Sequence, residues 1–299
     1  LVSWKKNNGA TAMMIDGARR VGKSYIAEKF AAAEYKSYLL IDFNRAPKEV
    51  TDLFENYLND LDTLFMYLSG FYNTKLYERE TLIILDEVQL CPRARAAIKY
   101  LVADGRYDYL ETGSLMSIKK NVKDILIPSE EEHLKMYPLD FEEFLWALDN
   151  ETLMPLIQTC YEKKQPMGQA LHRKAMDYFR QYLIVGGMPQ AVAKFVETRD
   201  FKKVDRVKRQ ILTLYRNDIQ KYASTYVFKV TQIFDTIPSQ LQKHEKKFML
   251  KALTEGARMR DYETAFFWLS DAMIVNMAYN TTEPNIGLGM NTDDTTLKC

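Results

Sequence analysis

The residues best suited to chemistry are Gly17-Ala18-Arg19-Arg20-Val21-Gly22-Lys23-Ser24. Two glycines with four residues between them let the backbone curl until its N–H groups point at an anion. Lys23 adds a cation that can bridge the β- and γ-phosphates, and the Ser24 hydroxyl can ligate Mg²⁺. The alternative, a chance match in an ordinary glycine turn, is weighed by the flanks. An apolar run with strand character, Ala12 to Ile15, leads in, and a helix-patterned stretch, Tyr25 to Tyr35, leads out. Strand, glycine loop and helix are the context in which this pattern reads as a phosphate-binding P-loop. The positive end of the helix strengthens the field. The expected ligand is a nucleoside triphosphate, held by Gly17 through Ser24 with Tyr25 beside them.

A second motif follows. Thr81 to Glu87 is an apolar strand ending in two acids. Downstream of a P-loop, Asp86 is placed to hold the metal or one of its waters, and Glu87 to deprotonate an attacking water. A kinase with a small acceptor has no need of Glu87, so hydrolysis is favoured. Tyr107 to Ser114 gives a further strand, whose Thr112 and Ser114 can sense the γ-phosphate or hold the water; a plain strand-end turn at Gly113 is an equal reading. Asp42 ends another apolar run, as a solvated strand end or a partner of the metal. Arg93, Arg95 and Arg106 are candidates for charge stabilisation in trans, and read more simply as solvated surface groups.

These residues need a scaffold. The 299-residue chain (34.9 kDa) is 47% hydrophobic and 27% charged, the balance of a globular protein with two or three packed units. A formal net charge of +1 names no partner, but Arg199 to Lys221 holds eight Lys/Arg against three Asp. Three scattered cysteines give neither a disulfide frame nor a zinc site. No apolar run approaches the roughly 20 residues of a membrane span, and no secretory segment opens the chain, so the expectation is a cytoplasmic protein without membrane contact. Both ends read as truncated.

The α/β pattern continues in order. Val50 to Leu68 reads as one or two covering helices, Pro92 to Ala103 as another. Ser129 to Glu132 reads as a solvated loop or helix start, and Leu134 to Leu139 as the fifth strand. Asp140 and Glu143 form the two halves of a capping box. The nucleotide core (1–148) is followed by a connector and helical lid (149–223), where Gly186-Gly187 ends one helix and Pro189 starts the next. Arg180 and Gln190 are the lid residues that could face the nucleotide. Lys202 to Ala223 is a basic amphipathic helix with Val204, Val207, Ile211, Leu214 and Tyr215 on one face. Three helices (228–241, 246–253, 261–274) and the extended Val275 to Asn280 match a winged-helix-like unit (224–299). Its exposed basic candidates are Lys243, Lys246, Lys247, Arg258 and Arg260, and double-stranded DNA is the partner such a unit suggests.

Taken together, Gly17–Ser24, Leu82–Glu87, Thr112-Gly113-Ser114, Tyr137-Pro138-Leu139 with Phe141 to Phe144, and Gly186-Gly187-Met188-Pro189 resemble the prokaryotic AAA-type ATPases. These pair an ATPase core with a nuclease-like C-terminal domain of unknown function. The resemblance implies a P-loop core with a five-stranded parallel sheet in the order 5-1-4-3-2, a lid, a winged helix, ATP as the nucleotide and Thr112 to Ser114 as a sensor. It implies a nuclease-like region beyond Cys299, outside this chain. It also raises self-association, though no residue stands out as an arginine finger. The expected function is Mg²⁺-dependent ATP hydrolysis coupled to conformational change; the alternative is a nucleotide-loaded switch with little turnover.

Overall fold

The computed structural model describes residues 1–113, 130–242, 247–281, 283 and 288–299. A short helix, α1 (Val2–Lys5), leads into β1 (Ala12–Gly17), α2 (Lys23–Glu34), β2 (Ser37–Asp42), α3 (Lys48–Asn56), α4 (Leu61–Phe71) and β3 (Thr81–Asp86). Then come α5 (Pro92–Asp104), β4 (Asp108–Gly113) and β5 (Glu131–Met136). The five strands form a parallel sheet in the order β2-β3-β4-β1-β5, as the family resemblance implies. Burial on both faces explains the near-continuous apolar runs of β1 and β3. One face packs against α3, α4 and α5 through Phe54, Leu64, Leu68 and Ile98; the other packs against α2 through Ala27 and Phe30.

Helices dominate the rest: α6 (Phe141–Ala147), α7 (Leu153–Glu162), α8 (Gln169–Val185), α9 (Pro189–Thr198), α10 (Phe201–Tyr222), α11 (Val227–Gln242) and α12 (Met259–Asp271). An antiparallel pair, β6 (Ala278–Thr281) and β7 (Thr292–Lys298), ends the chain. The capping box at α6 is present, Asp140 accepting from the Glu143 amide while the Glu143 carboxylate accepts from the Asp140 amide, both at 2.9 Å. Proline opens α5 and α9, where its missing N–H costs nothing.

Two expectations are corrected here. The fifth strand is Glu131–Met136 rather than 134–139, so Glu131 lies inside the sheet instead of in a solvated loop. The helix expected over 246–253 is reduced, within the described residues, to one 3₁₀ turn at Leu250–Ala252. Lys243 and Lys246 lie outside the described residues.

One continuous core ties the P-loop to the helical half. Ala18 and Val21 are buried with Phe144, Val185, Val192, Phe195, Ile211, Ile219, Phe266 and Leu297. The loop is therefore clamped from above by α6, α9 and α10, not only carried by the sheet.

Candidate nucleotide site

The loop between β1 and α2 owes its shape to its glycines. A Cβ at Gly17 would lie 2.5 Å from the Met136 carbonyl oxygen, and Gly22 has φ +101, the left-handed region that side chains resist. Arg20 also has positive φ (+71). The amides of Arg19 to Gly22 donate to no acceptor among the described residues, which makes the loop a nest of free donors at a helix N-terminus. Lys23 is buried at 7% exposure, its ammonium donating to the carbonyls of Gly17 and Ala18, each at 3.0 Å. Burial lowers its pKa, opposed by the nearby carboxylates of Glu87, Asp86 and Asp16. A cation folded onto its own loop beside free amides fits a polyphosphate.

Asp86 sits at the carboxyl end of β3. The Ser24 hydroxyl donates to Asp86 Oδ1 at 2.7 Å, and the Thr112 hydroxyl donates to the same oxygen. Hydroxyl and carboxylate are thus brought together as a hard-oxygen pair suited to Mg²⁺. Glu87, next along, has φ +53, a strained value for a side chain of its size. That turn carries its carboxylate to the cleft wall, where the Gln89 side-chain amide donates to it. The Glu87 amide donates to Thr112 Oγ1 at 3.4 Å, joining β3 to β4.

These groups line an open cleft of about 710 Å³. Lys23, Ser24, Asp86 and Glu87 converge there with Tyr25, Asp42 and Gln190. Thr112 acts from beneath through Asp86, and Ser114 lies outside the described residues. Arg180 does not reach the cleft; it is exposed and paired with Asp177 at 2.9 Å. Arg93 pairs with Glu55 and Arg106 with Asp104 and Asp62, and neither lines the cleft.

Arg95 corrects its expected surface position. It is 2% exposed, with Nη1 at 2.7 Å from Glu111 and both Nη atoms on Glu131, and the carboxylates of Glu131 and Asp16 are bridged by His133. Its planar fork matches two carboxylates at once. The signal was its position on α5, among Ala94, Ala97, Ile98 and Leu101, all buried.

Sequence reasoning missed the fourth wall. From α10, Asn217, Asp218, Lys221 and Tyr222 line the cleft. Asp218 accepts from Arg19 Nη1 at 2.8 Å, and the Tyr215 hydroxyl donates to the Arg19 carbonyl at 2.8 Å. Burial raises the Asp218 pKa against the pull of Arg19, and burial pushes Tyr215 up to about 12. An acid repeating on the apolar stripe, three residues after Tyr215 and seven after Ile211, was the available signal.

Two other motifs prove to be one contact. The Leu139 amide donates to the Gly187 carbonyl at 2.7 Å, and a Cβ at Gly187 would lie 2.0 Å from the Leu139 carbonyl oxygen. The Pro-Leu and Gly-Gly elements are paired because only glycine permits this approach.

Comparison with known proteins agrees on the core. Residues 10–145 match the family model described as AAA domain, and residues 176–299 match a Domain of unknown function (DUF8612). No curated protein matches. Among solved structures, the Aeropyrum pernix ORC1 protein in complex with DNA is 12% identical, covering 96% of this chain and 82% of that one at a TM-score of 0.31. Drosophila ORC bound to DNA is 12% identical, covering 98% and 88% at 0.36. C. elegans PCH-2 is 12% identical, covering 68% and 62% at 0.30. At these scores they are distant neighbours and add nothing to the site. No described helix is long and apolar enough to cross a membrane. The P-loop, the sheet order and the match over residues 10–145 identify that part of the chain as a nucleotide-binding AAA domain of the P-loop type.

Proposed function

We propose that the protein hydrolyses ATP with Mg²⁺ and couples the reaction to movement of its helical half. The observation that carries the reading is the convergence of Lys23, Ser24, Asp86 and Glu87 on one cleft behind a loop of free amides. Lys23 and the amides of Arg19 to Gly22 bind and orient the phosphates. Ser24 and Asp86 would hold the metal, which when bound neutralises charge on the β- and γ-phosphates. Glu87 takes the proton of the attacking water, and Gln89 and the strained turn fix its carboxylate in place. Thr112 orients Asp86 through its hydroxyl.

Coupling follows from the contacts of the P-loop. Arg19, inside the loop, is held by Asp218 and Tyr215 of α10, so a ligand that draws Arg19 toward phosphate must loosen or shift that helix. Within this proposal residues 1–148 act as the motor, 149–223 as lid and 224–299 as the unit that is moved. Self-association and a DNA-linked role belong to the same proposal.

The test is phosphate release from ATP and Mg²⁺ by wild type and Glu87→Gln. A loss of about 10²–10⁴-fold in turnover with ATP still bound is expected from removing a general base. Turnover below one per protein in the wild type, with ATP bound, would instead establish the alternative: a nucleotide-loaded switch whose Arg19–Asp218 link reads occupancy.

A further inference from the structure

Between positions 173 and 209 the chain carries ten Lys/Arg and four Asp/Glu. Each of the four acids is already engaged. Asp177 pairs with Arg180 at 2.9 Å, Glu197 with Lys194 at 2.5 Å and Asp205 with Arg209 at 2.7 Å. Asp200 caps α10, accepting from the amides of Lys202 and Lys203. Lys208 donates to the Ile184 carbonyl. Arg173, Lys174, Arg199, Lys202, Lys203 and Arg206 remain, exposed and with no ion-pair partner among the described residues.

Their placement is concave, then linear. Arg173, Lys174 and Arg199 line an open cleft of about 560 Å³ between α8 and the end of α9, with Tyr178 and Gln181 as neutral donors and Asp177, its charge taken up by Arg180, as the one acid of its wall. Arg199 sits in the left-handed region (φ +49), its guanidinium 5.2 Å from the centre of the Phe195 ring, which fixes it at the rim. Two residues on, α10 begins, and within it Arg206 follows Lys202 by four positions and Lys203 by three, one face of the helix. From Lys202 to Arg206 the row rises about 6 Å along the helix.

We propose that this surface binds the phosphodiester backbone of a nucleic acid. A row of unpaired cations leading into a cleft suits a linear polyanion. It offers phosphate contacts without an array of free aromatic rings, so recognition is by charge and indifferent to sequence. Phe201, the aromatic beside the row, is itself stacked on Phe195. The helix that sequence alone would send into a groove, α12, offers a different face. Its exposed residues include Asp261, Glu263 and Phe267, and its Arg260 lies 3.8 Å from Asp261. That face repels phosphate where the α8–α10 surface attracts it.

The experiment is fluorescence anisotropy of a labelled duplex DNA of arbitrary sequence, of a single-stranded RNA and of phosphatidylserine vesicles, from about 50 to 200 mM salt. It runs without nucleotide, so its outcome is separate from that of the ATPase reading. Duplex binding should weaken with a log–log slope of roughly −4 to −5, as for four to six neutralised phosphates. Lys202→Glu with Lys203→Glu and Arg206→Glu should reduce affinity at least tenfold and flatten the slope by about 2 to 3. All three side chains are exposed, and circular dichroism with ATP binding checks that the variant is folded. Arg173→Glu with Lys174→Glu should act in the same direction, and Arg260→Glu should leave binding unchanged. RNA bound as tightly as DNA keeps the proposal and broadens the source of the backbone. Binding unaffected by the triple variant, binding lost in Arg260→Glu, or vesicles bound while both nucleic acids are ignored would each overturn it.

Discussion

Two polar clusters, each setting carboxylates against one cation, lie on one sheet, and they behave oppositely. At the end of β3, Asp86 meets Ser24, Thr112 and, across the cleft, Lys23. Under α5, Glu111 and Glu131 meet Arg95. The first opens on a large cleft, and its loop amides have no acceptor among the described residues. The second is sealed, Arg95 at 2% exposure and Glu111 at 0%, and its arginine answers both acids. The difference is position along the strand. An acid at a carboxyl end faces ligand; an acid within the strand must bring its own counter-ion. A ligand completes the first cluster, while folding alone completes the second.

The sharpest way to break that comparison is to remove the central charge of each cluster. Arg95→Ala leaves two buried carboxyls without a cation, and should cost about 3–5 kcal/mol of stability in denaturant unfolding. Lys23→Ala should do the reverse. Its ammonium rests on two carbonyls, so little stability is lost, but charge-assisted bonds to phosphate worth about 1.5–3 kcal/mol vanish. ATP affinity should fall at least tenfold in a titration with a fluorescent nucleotide. If Lys23→Ala unfolds the protein while Arg95→Ala spares it, the two clusters have been assigned the wrong way round.

A pH series sharpens the sealed side. Desolvation and the second carboxylate, Glu131, outweigh Arg95 and push Glu111 up to about 8. The native state then holds a proton that the unfolded chain, with an ordinary carboxyl, has released. Stability should therefore be greatest near the ordinary carboxylate range and fall as pH climbs toward about 8. The slope from this residue is up to about 1.4 kcal/mol per pH unit. Glu111→Gln should flatten that decline in thermal melts between about pH 5 and 8, while the profile of Lys23→Ala should keep it.

What the sequence disclosed follows the same line. The sheet order came only through the family resemblance, but the P-loop, the β3 acids and the α6 capping box are local patterns, each fixed by residues within a few positions, and all were legible. The partners of those residues were not. Arg95 finds Glu131 36 positions away, and Arg19 finds Asp218 199 positions away, distances at which spacing rules say nothing. Glu131 was hidden for a further reason. Glu130 to Glu132 read as a solvated run because charged triplets usually are, and its burial depends on an arginine in another element. The 3₁₀ turn at Leu250–Ala252 stands where helical spacing was read across Lys246 to Leu253; tertiary packing of Phe248 against Phe266, with its amide bonded to the Leu297 carbonyl, fixes that segment instead.

The smallest predicted effect concerns a residue shared between the two kinds of site. Asp218 is nearly buried, as in the sealed cluster, yet it lines the cleft and pairs with an arginine that is 46% exposed. Replacing it with asparagine keeps the shape and removes the charge. The lost pair should cost less than about 1 kcal/mol, because solvent screens Arg19. A carboxylate facing the phosphates would also be gone, and a unit charge about 7 Å away in a solvated cleft is worth roughly threefold in affinity. Asp218→Asn should therefore bind ATP slightly tighter while melting slightly earlier, the gain in affinity shrinking as salt is raised. Weaker ATP binding together with a large stability loss would place Asp218 with Arg95, as structural glue, and leave Arg19 without a release mechanism.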